Sequence, residues 1–132
     1  RKVKQFAGHT DTVIDLVYSK DGKYIVSGSS DNTVRIWNAV SGSLVHTLTG
    51  HTDKVISVAI SPVDKYVASS SQDKTIRIWE TATGKLLNTF TGHTDYIGTV
   101  EFSPDGNRLV SSSADGTVRI WQIFNESVQN NE

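Results

Sequence analysis

The chain has 132 residues, 13 of them basic and 14 acidic, with a net charge of −1 and no cysteine. Without a basic stripe or face, we expect neither nucleic acid nor a membrane as a partner. The absence of cysteine excludes a disulfide framework and any thiolate metal or redox site. No apolar run approaches the roughly 20 residues that are needed to cross a bilayer.

The first predicted element is a short strand at residues 3–6, which aligns with residues 45–48 and 87–90 further along. Groups of four strands follow. In the middle group the runs 54–60, 66–71, 75–79 and 86–90 are separated by turns rich in Pro, Asp and Gly. Such short, punctuated runs predict a four-stranded antiparallel meander. The last group reaches its third strand at Trp121, and the aligned fourth-strand positions 129–132 are polar.

One unit of 42 residues occurs three times in register, and a fixed period of this length sets the architecture. The apolar core positions repeat with it, since Val13, Leu16 and Tyr18 become Val55, Val58 and Ile60, then Ile97, Val100 and Phe102. A lone four-stranded sheet cannot cover both of its apolar faces. Each unit therefore needs a neighbour stacked on either side.

Each unit reads Gly-His, about twenty residues, then Ser-x-Ser-x-Asp-x-Thr-[Val/Ile]-Arg-Ile-Trp. This pattern resembles the WD-repeat signature across residues 1–124, although the tryptophans are followed by Asn38, Glu80 and Gln122 rather than by aspartate. The resemblance implies an all-β fold, a β-propeller with one four-stranded blade per unit. The expected boundaries are an outer strand at 1–7 that completes another blade, blades at 8–49, 50–91 and 92–124, the third without its outer strand, and a polar tail at 125–132.

The resemblance also implies a hydrogen-bonded tetrad in each blade, in which Asp accepts from His, His from Ser, and Ser from the Trp indole. The tetrads are His9, Ser27, Asp31 and Trp37; His51, Ser69, Asp73 and Trp79; and His93, Ser111, Asp115 and Trp121. The serine two residues later in each blade (Ser29, Ser71 or Ser113) lies on the same strand face and stays an alternative.

A serine, a histidine and an aspartate in every unit also raise the possibility of a catalytic triad. We favour the structural interpretation, because a catalytic site is rarely present three times in one form and the tetrad satisfies its own buried polar groups. Three of the four histidines belong to the tetrads, so we expect no metal site and no cofactor.

Closure of a ring is expected to involve more than this chain, because propellers have about four to eight blades. In WD-repeat rings an outer strand from one terminus completes the blade at the other, and residues 3–6 could serve a third blade that lacks this strand. Two copies head to tail would give six blades and three copies nine. The alternative is that the remaining blades belong to a longer chain.

The resemblance implies a non-catalytic scaffold that binds proteins or peptides on the face of the Gly-His loops. The rim positions carried over to this sequence are Thr12, Lys54, Tyr96, Ser30, Gln72 and Ala114. One alternative is an architectural, regulatory or sensor module of a larger assembly. A hydrolase that uses the inner-strand acids Asp15 and Glu101 is disfavoured, because these occupy non-equivalent positions. We expect a cytoplasmic or nuclear location.

Overall fold

Eleven β-strands make up the regular structure of residues 1–124, the part of the chain that the computed structural model describes. The first sheet contains β1 (Val13–Tyr18), β2 (Tyr24–Ser29), β3 (Val34–Asn38) and β4 (Leu44–Leu48). The second contains β5 (Val55–Ile60), β6 (Tyr66–Ser71), β7 (Ile76–Glu80) and β8 (Leu86–Phe90). The third contains β9 (Ile97–Phe102), β10 (Arg108–Ser113) and β11 (Val118–Gln122).

The strands of each sheet pair antiparallel in chain order, so each sheet is the meander that the turn pattern predicts. The predicted all-β class is confirmed, and the described residues contain no helix that could cross a membrane. Strand β1 ends at Tyr18, which pairs with Ile25 near the start of β2, and a short turn joins the two strands. The register between the first two strands of each sheet shifts once, at residues 13–15 of β1, 55–57 of β5 and 112–113 of β10.

The sheets, here called blades 1, 2 and 3 in chain order, stack face to face and form two seams. At the first seam, Val26, Val34 and Ile36 of blade 1 share an apolar cluster with Val55, Val58 and Ile60 of blade 2. At the second, Ala68, Ile76 and Ile78 of blade 2 share one with Ile97, Val100 and Phe102 of blade 3. The unit repeats because each blade supplies half of the core on either side.

The two outer faces of the stack carry the same residue types but no neighbour among the described residues. On blade 1, Leu16 and Tyr18 are each 61% exposed, whereas their counterparts Val58 and Ile60 are 6% and 4% exposed. On blade 3, Val118 is 71% and Ile120 is 69% exposed. The stack is therefore open, with an apolar face at each end.

Polar contacts also cross both seams. The Asp15 carboxylate of β1 accepts a hydrogen bond from the Val58 N–H of β5 at 3.0 Å. One repeat later, the Ser57 hydroxyl of β5 accepts from the Val100 N–H of β9 at 3.3 Å. The first strands of neighbouring blades are thus joined by a hydrogen bond whose side-chain acceptor, Asp15 or Ser57, occupies the same position of the repeat.

Residues 1–9 form no strand, because the strand expected at 3–6 would pair with a preceding blade and the described residues contain no such blade. The Phe6 ring nevertheless lies edge-on to Trp37, with centroids 5.9 Å apart. Its counterpart Phe90, on the outer strand of blade 2, stacks on Trp121 of blade 3 at 5.2 Å. Residues 3–6 thus lie beside blade 1 as an outer strand of a preceding blade would. The polar positions 129–132 and the tail 125–132 lie outside the described residues.

Candidate functional site

A chain of hydrogen bonds joins four side chains in the middle blade. Nδ1 of His51 lies 2.8 Å from Oδ2 of Asp73, and Nε2 of His51 lies 2.7 Å from Oγ of Ser69. The Trp79 indole N–H donates to the same serine oxygen at 2.9 Å. Blades 1 and 3 repeat this arrangement at 2.6–2.8 Å through His9, Asp31, Ser27 and Trp37, and through His93, Asp115, Ser111 and Trp121.

Each member of the middle tetrad comes from a different segment of its blade. His51 lies in the loop before β5, Ser69 in β6, Asp73 in the turn between β6 and β7, and Trp79 in β7. The side chains of His51 and Asp73 are 0% and 5% exposed. The bonds therefore fasten the incoming loop to the second and third strands from inside the blade.

A threonine adds a fifth partner that the sequence interpretation missed. The Thr75 hydroxyl donates to Oδ1 of Asp73 at 2.6 Å, and Thr33 and Thr117 make the same contact in the other blades. Its backbone N–H donates to the same oxygen at 2.9 Å. The signal was present in the sequence, because every copy reads Asp-x-Thr and short polar side chains bind their own turn.

These contacts set the charge state of the turn aspartates. Burial alone would raise the pKa of Asp73, but hydrogen bonds from His51 and Thr75 more than offset it and hold the pKa far below its usual value. The pKa of Asp31 is lowered in the same way, against burial, by Thr33 and His9. Each aspartate is therefore a carboxylate at neutral pH and a constant acceptor for its histidine.

The alternative serines make different contacts. The Ser29 hydroxyl donates to the Thr12 carbonyl at 2.8 Å and accepts from the Asp31 N–H at 3.0 Å. Ser113 repeats this pattern with Tyr96 and Asp115. The serines that contact histidine are thus Ser27, Ser69 and Ser111, which are 4%, 0% and 2% exposed.

The glycine of each Gly-His pair leaves room for an arginine of β3, β7 or β11. A Cβ at Gly50 would lie 2.8 Å from Nη1 of Arg77, and at Gly92 it would lie 2.6 Å from Nη1 of Arg119. Both glycines also have positive φ, 150° and 145°, which side chains disfavour. The glycine therefore lets the histidine loop pass over the arginine.

Two rim positions lie side by side at the Gly-His end of each blade. The Ser30 N–H donates to the Thr12 carbonyl at 2.8 Å, and the Gln72 N–H donates to the Lys54 carbonyl at 2.9 Å. Ala114 and Tyr96 form the third pair, at 3.0 Å. Ser30 is half-buried and the other five are exposed, with Tyr96 at 45%. These backbone hydrogen bonds hold the two rim residues of each blade next to each other, which gives three equivalent pairs.

A family model for the WD domain, G-beta repeat, matches residues 1–38, 42–80 and 84–122. The chain belongs to the WD40 family. Each match ends with the first three strands of one blade, and the three matched ranges contain the tetrads described above. Nothing in the 124 described residues groups three or more His, Cys, Asp or Glu side chains as a metal site.

Individual curated proteins resemble parts of the chain. Periodic tryptophan protein 2 homolog of Mus musculus is 48% identical over 42 residues, which cover 32% of this chain and 5% of that protein. F-box/WD repeat-containing protein 7 of Drosophila melanogaster is 48% identical over 48 residues, or 36% of this chain and 4% of that protein. Ribosome biogenesis protein BOP1 homolog of Drosophila grimshawi is 44% identical over 43 residues, or 33% and 6%.

Two solved structures share the fold. The crystal structure of RRP9 WD40 repeats has a TM-score of 0.87 and 33% identity, and the structure of U3-55K has the same values. The match covers 89% of this chain in both cases, but only 37% and 38% of those chains. The chain therefore spans well under half of the structures it matches and a small fraction of the curated relatives.

Proposed function

We propose that this WD40 chain is a non-catalytic scaffold that binds a protein or peptide on the rim of the Gly-His loops. The observation that carries the proposal is the contrast between the tetrads and the rim. The tetrad side chains that could do chemistry are buried and bonded to one another, whereas five of the six rim side chains are exposed. A partner would meet the rim first.

The chemistry of the rim differs from blade to blade while the framework stays constant. Blade 1 presents hydroxyl groups, blade 2 presents Lys54 with Gln72, and blade 3 presents Tyr96 with Ala114. An exposed tyrosine next to a small residue and one blade away from a cation suits a peptide with an apolar or aromatic residue and a carboxylate. Aromatic residues are enriched among binding hot spots.

A catalytic role has less support. A nucleophilic Ser69 would need access to substrate, and it is fully buried with its oxygen already accepting from Trp79. The inner-strand acid Asp15 is also engaged, because its two oxygens accept from the N–H groups of Leu16 and Val58. The burial of Ser69 and the hydrogen bonds of Asp15 therefore favour a structural role for both residues.

Assembly belongs to the same proposal. The bare apolar faces of blades 1 and 3 match the two halves of an interior seam, so a second copy can cover both when the copies meet head to tail. Such a pair gives a ring of six blades, within the usual range, and three copies give nine. The remaining blades of a longer chain would cover the same faces and leave the rim unchanged.

The names of the relatives bear on location rather than on partner. Each curated match spans about one repeat, so it supports the repeat and not a biological process. The ribosome-biogenesis names are in keeping with the proposed cytoplasmic or nuclear location.

Photo-crosslinking tests the rim. A photoreactive phenylalanine at position 96 should capture a defined protein from a cell extract, and one at Val40, which is 78% exposed at the opposite end of the blades, should not. Lys54→Ala should weaken capture at least about threefold, while Lys85→Ala, an exposed lysine at the opposite end, should not. Equal capture from both probe positions, or hydrolase activity abolished by Ser69→Ala in a folded protein, would overturn the proposal.

A further inference from the structure

The seam between blades 1 and 2 contains a groove at the end opposite the rim. The hollow has a volume of ≈ 290 Å³. Tyr24, Val45 and Ala82 supply apolar surface, and Asp21, Asp64 and Glu80 supply carboxylates. These residues come from turns and strand ends of two different blades, so the groove exists only because the blades stack.

The second seam is the natural control for this groove, because the same repeat positions meet there. Forty-two residues on, the three acids are replaced by Val63, Gly106 and Gln122. Ala82 is replaced by Phe124, whose ring lies 5.2 Å from that of Tyr66 and occupies the corresponding space. The fold therefore requires neither the hollow nor its charge, and both are particular to the first seam.

The groove carries excess negative charge. The Asp64 carboxylate crosses the seam and accepts from the backbone N–H groups of Lys20 at 2.6 Å and Asp21 at 3.0 Å. The Ser19 hydroxyl and the Lys23 N–H lower the pKa of Asp21, so it too is a carboxylate. Lys65 is the cation beside the groove, and its ammonium is turned onto the Tyr66 ring, 5.5 Å from the centroid.

A second feature points to a missing partner. Thr81 borders the groove, is 7% exposed, and its hydroxyl has no hydrogen-bond partner. An unpartnered buried hydroxyl costs roughly 1–3 kcal/mol, and a bound molecule or an ordered water that hydrogen-bonds to it would relieve that cost. At the second seam the same position is Ile123, which has no such need.

We propose that this groove binds an arginine side chain of a protein partner. The alkyl stem would pack on Tyr24, Val45 and Ala82, and the guanidinium would pair with the surrounding carboxylates. Arginine fits better than lysine, because a planar fork of five donors can reach several acceptors at once and can lie against an aromatic ring. The groove is separate from the rim, and the two can be tested independently.

The test is an NMR titration of the ¹⁵N-labelled full chain with N-acetyl-arginine N-methylamide. Amide shifts should move at Asp21, Lys65 and Ala82, and stay still at the second-seam counterparts Asn107 and Phe124. The citrulline analogue has nearly the same shape without the charge, and it should bind at least about tenfold more weakly. Equal shifts at both seams, or equal binding of the two compounds, would overturn the proposal.

The chain supplies its own matched variants. Glu80→Gln and Ala82→Phe each install the residue of the second seam, and each should weaken binding about tenfold or more. Phe124→Ala opens the second seam without adding acid, and it should gain no arginine binding. Tyr96→Ala on the rim should leave the titration unchanged. Binding that survives Ala82→Phe in a protein with a native amide spectrum would contradict the placement.

Discussion

Ile78 in blade 2 and Ile120 in blade 3 occupy the same position of the repeat, on equivalent strands. Ile78 is fully buried between two blades and Ile120 is 69% exposed on an end face. The same contrast separates Val55 from Val13, at 0% and 45%. The residue type at these positions therefore suits a buried seam, whereas the exposed fraction of each side chain depends on whether a neighbouring blade is present.

The largest expected effect is the difference in unfolding free energy between isoleucine-to-alanine substitutions at positions 78 and 120. Ile78→Ala should lower the free energy of unfolding by about 2–5 kcal/mol, because it leaves a cavity in a closed seam. Ile120→Ala should change it by no more than about 0.5 kcal/mol in dilute solution. Urea unfolding followed by tryptophan fluorescence gives both values.

Protein concentration makes this comparison a test of assembly. If a second copy covers the end face, the cost of Ile120→Ala should rise toward that of Ile78→Ala as concentration increases, and light scattering should show a mass above that of one chain. Deletion of residues 1–7 should weaken the same assembly, since it removes the segment that is expected to complete blade 3 of the next copy. A parent that remains a well-folded monomer at micromolar concentration would rule out the head-to-tail ring.

The tetrads allow a smaller comparison of interior and end. Asp73→Ala in the middle blade leaves the His51 N–H without its acceptor and should cost about 1–3 kcal/mol. Asp31→Ala should cost less, because His9 and Ser27 border a hollow of ≈ 270 Å³ on the open face, where water can replace the carboxylate. Thermal melts of both variants beside Glu101→Ala, an exposed acid, provide the measurement. A larger loss for Asp31→Ala would contradict the argument.

The loss of stability at acidic pH gives the smallest predicted difference between the parent and a variant. The lowered pKa of Asp73 means that its contribution to stability is complete above the unfolded-state value near 4 and is lost as pH falls through the folded-state value. The parent should therefore lose stability steadily from about pH 4 to pH 2. Asp73→Asn removes one such carboxylate, so its urea midpoint should fall less over that interval. An equal or steeper fall would show that this carboxylate is not among the groups responsible.

The sequence was sufficient to predict the strands of the three sheets, although residues 3–6 form none, and the period and motif place the tetrad residues within one repeat. It could not choose between Ser69 and Ser71, since both point to one face and only the course of the histidine loop separates them. The partner hydroxyl of Thr75 was visible as Asp-x-Thr, but nothing in the pattern gave it a role.

The groove shows what the sequence could not reveal. Asp21 and Glu80 are 59 positions apart and in different repeats, so no spacing within one unit relates them. Their approach depends on how blade 1 stacks on blade 2, and the aligned positions one repeat later, Val63 and Gln122, give no hint of a site. Features shared by the repeats were predictable, whereas features produced by one particular pair of neighbours were not.

Asp64 has a consequence for how such arrays can be rearranged by gene duplication. It adopts φ 64° where the other repeats have Gly22 and Gly106, and its carboxylate takes both donors from the preceding turn. If the second repeat were copied behind itself, the new aspartate would face Pro62, which has no N–H to donate, and would keep only the Val63 N–H of its two donors. Reordering the repeats would therefore remove a hydrogen bond that the present order provides.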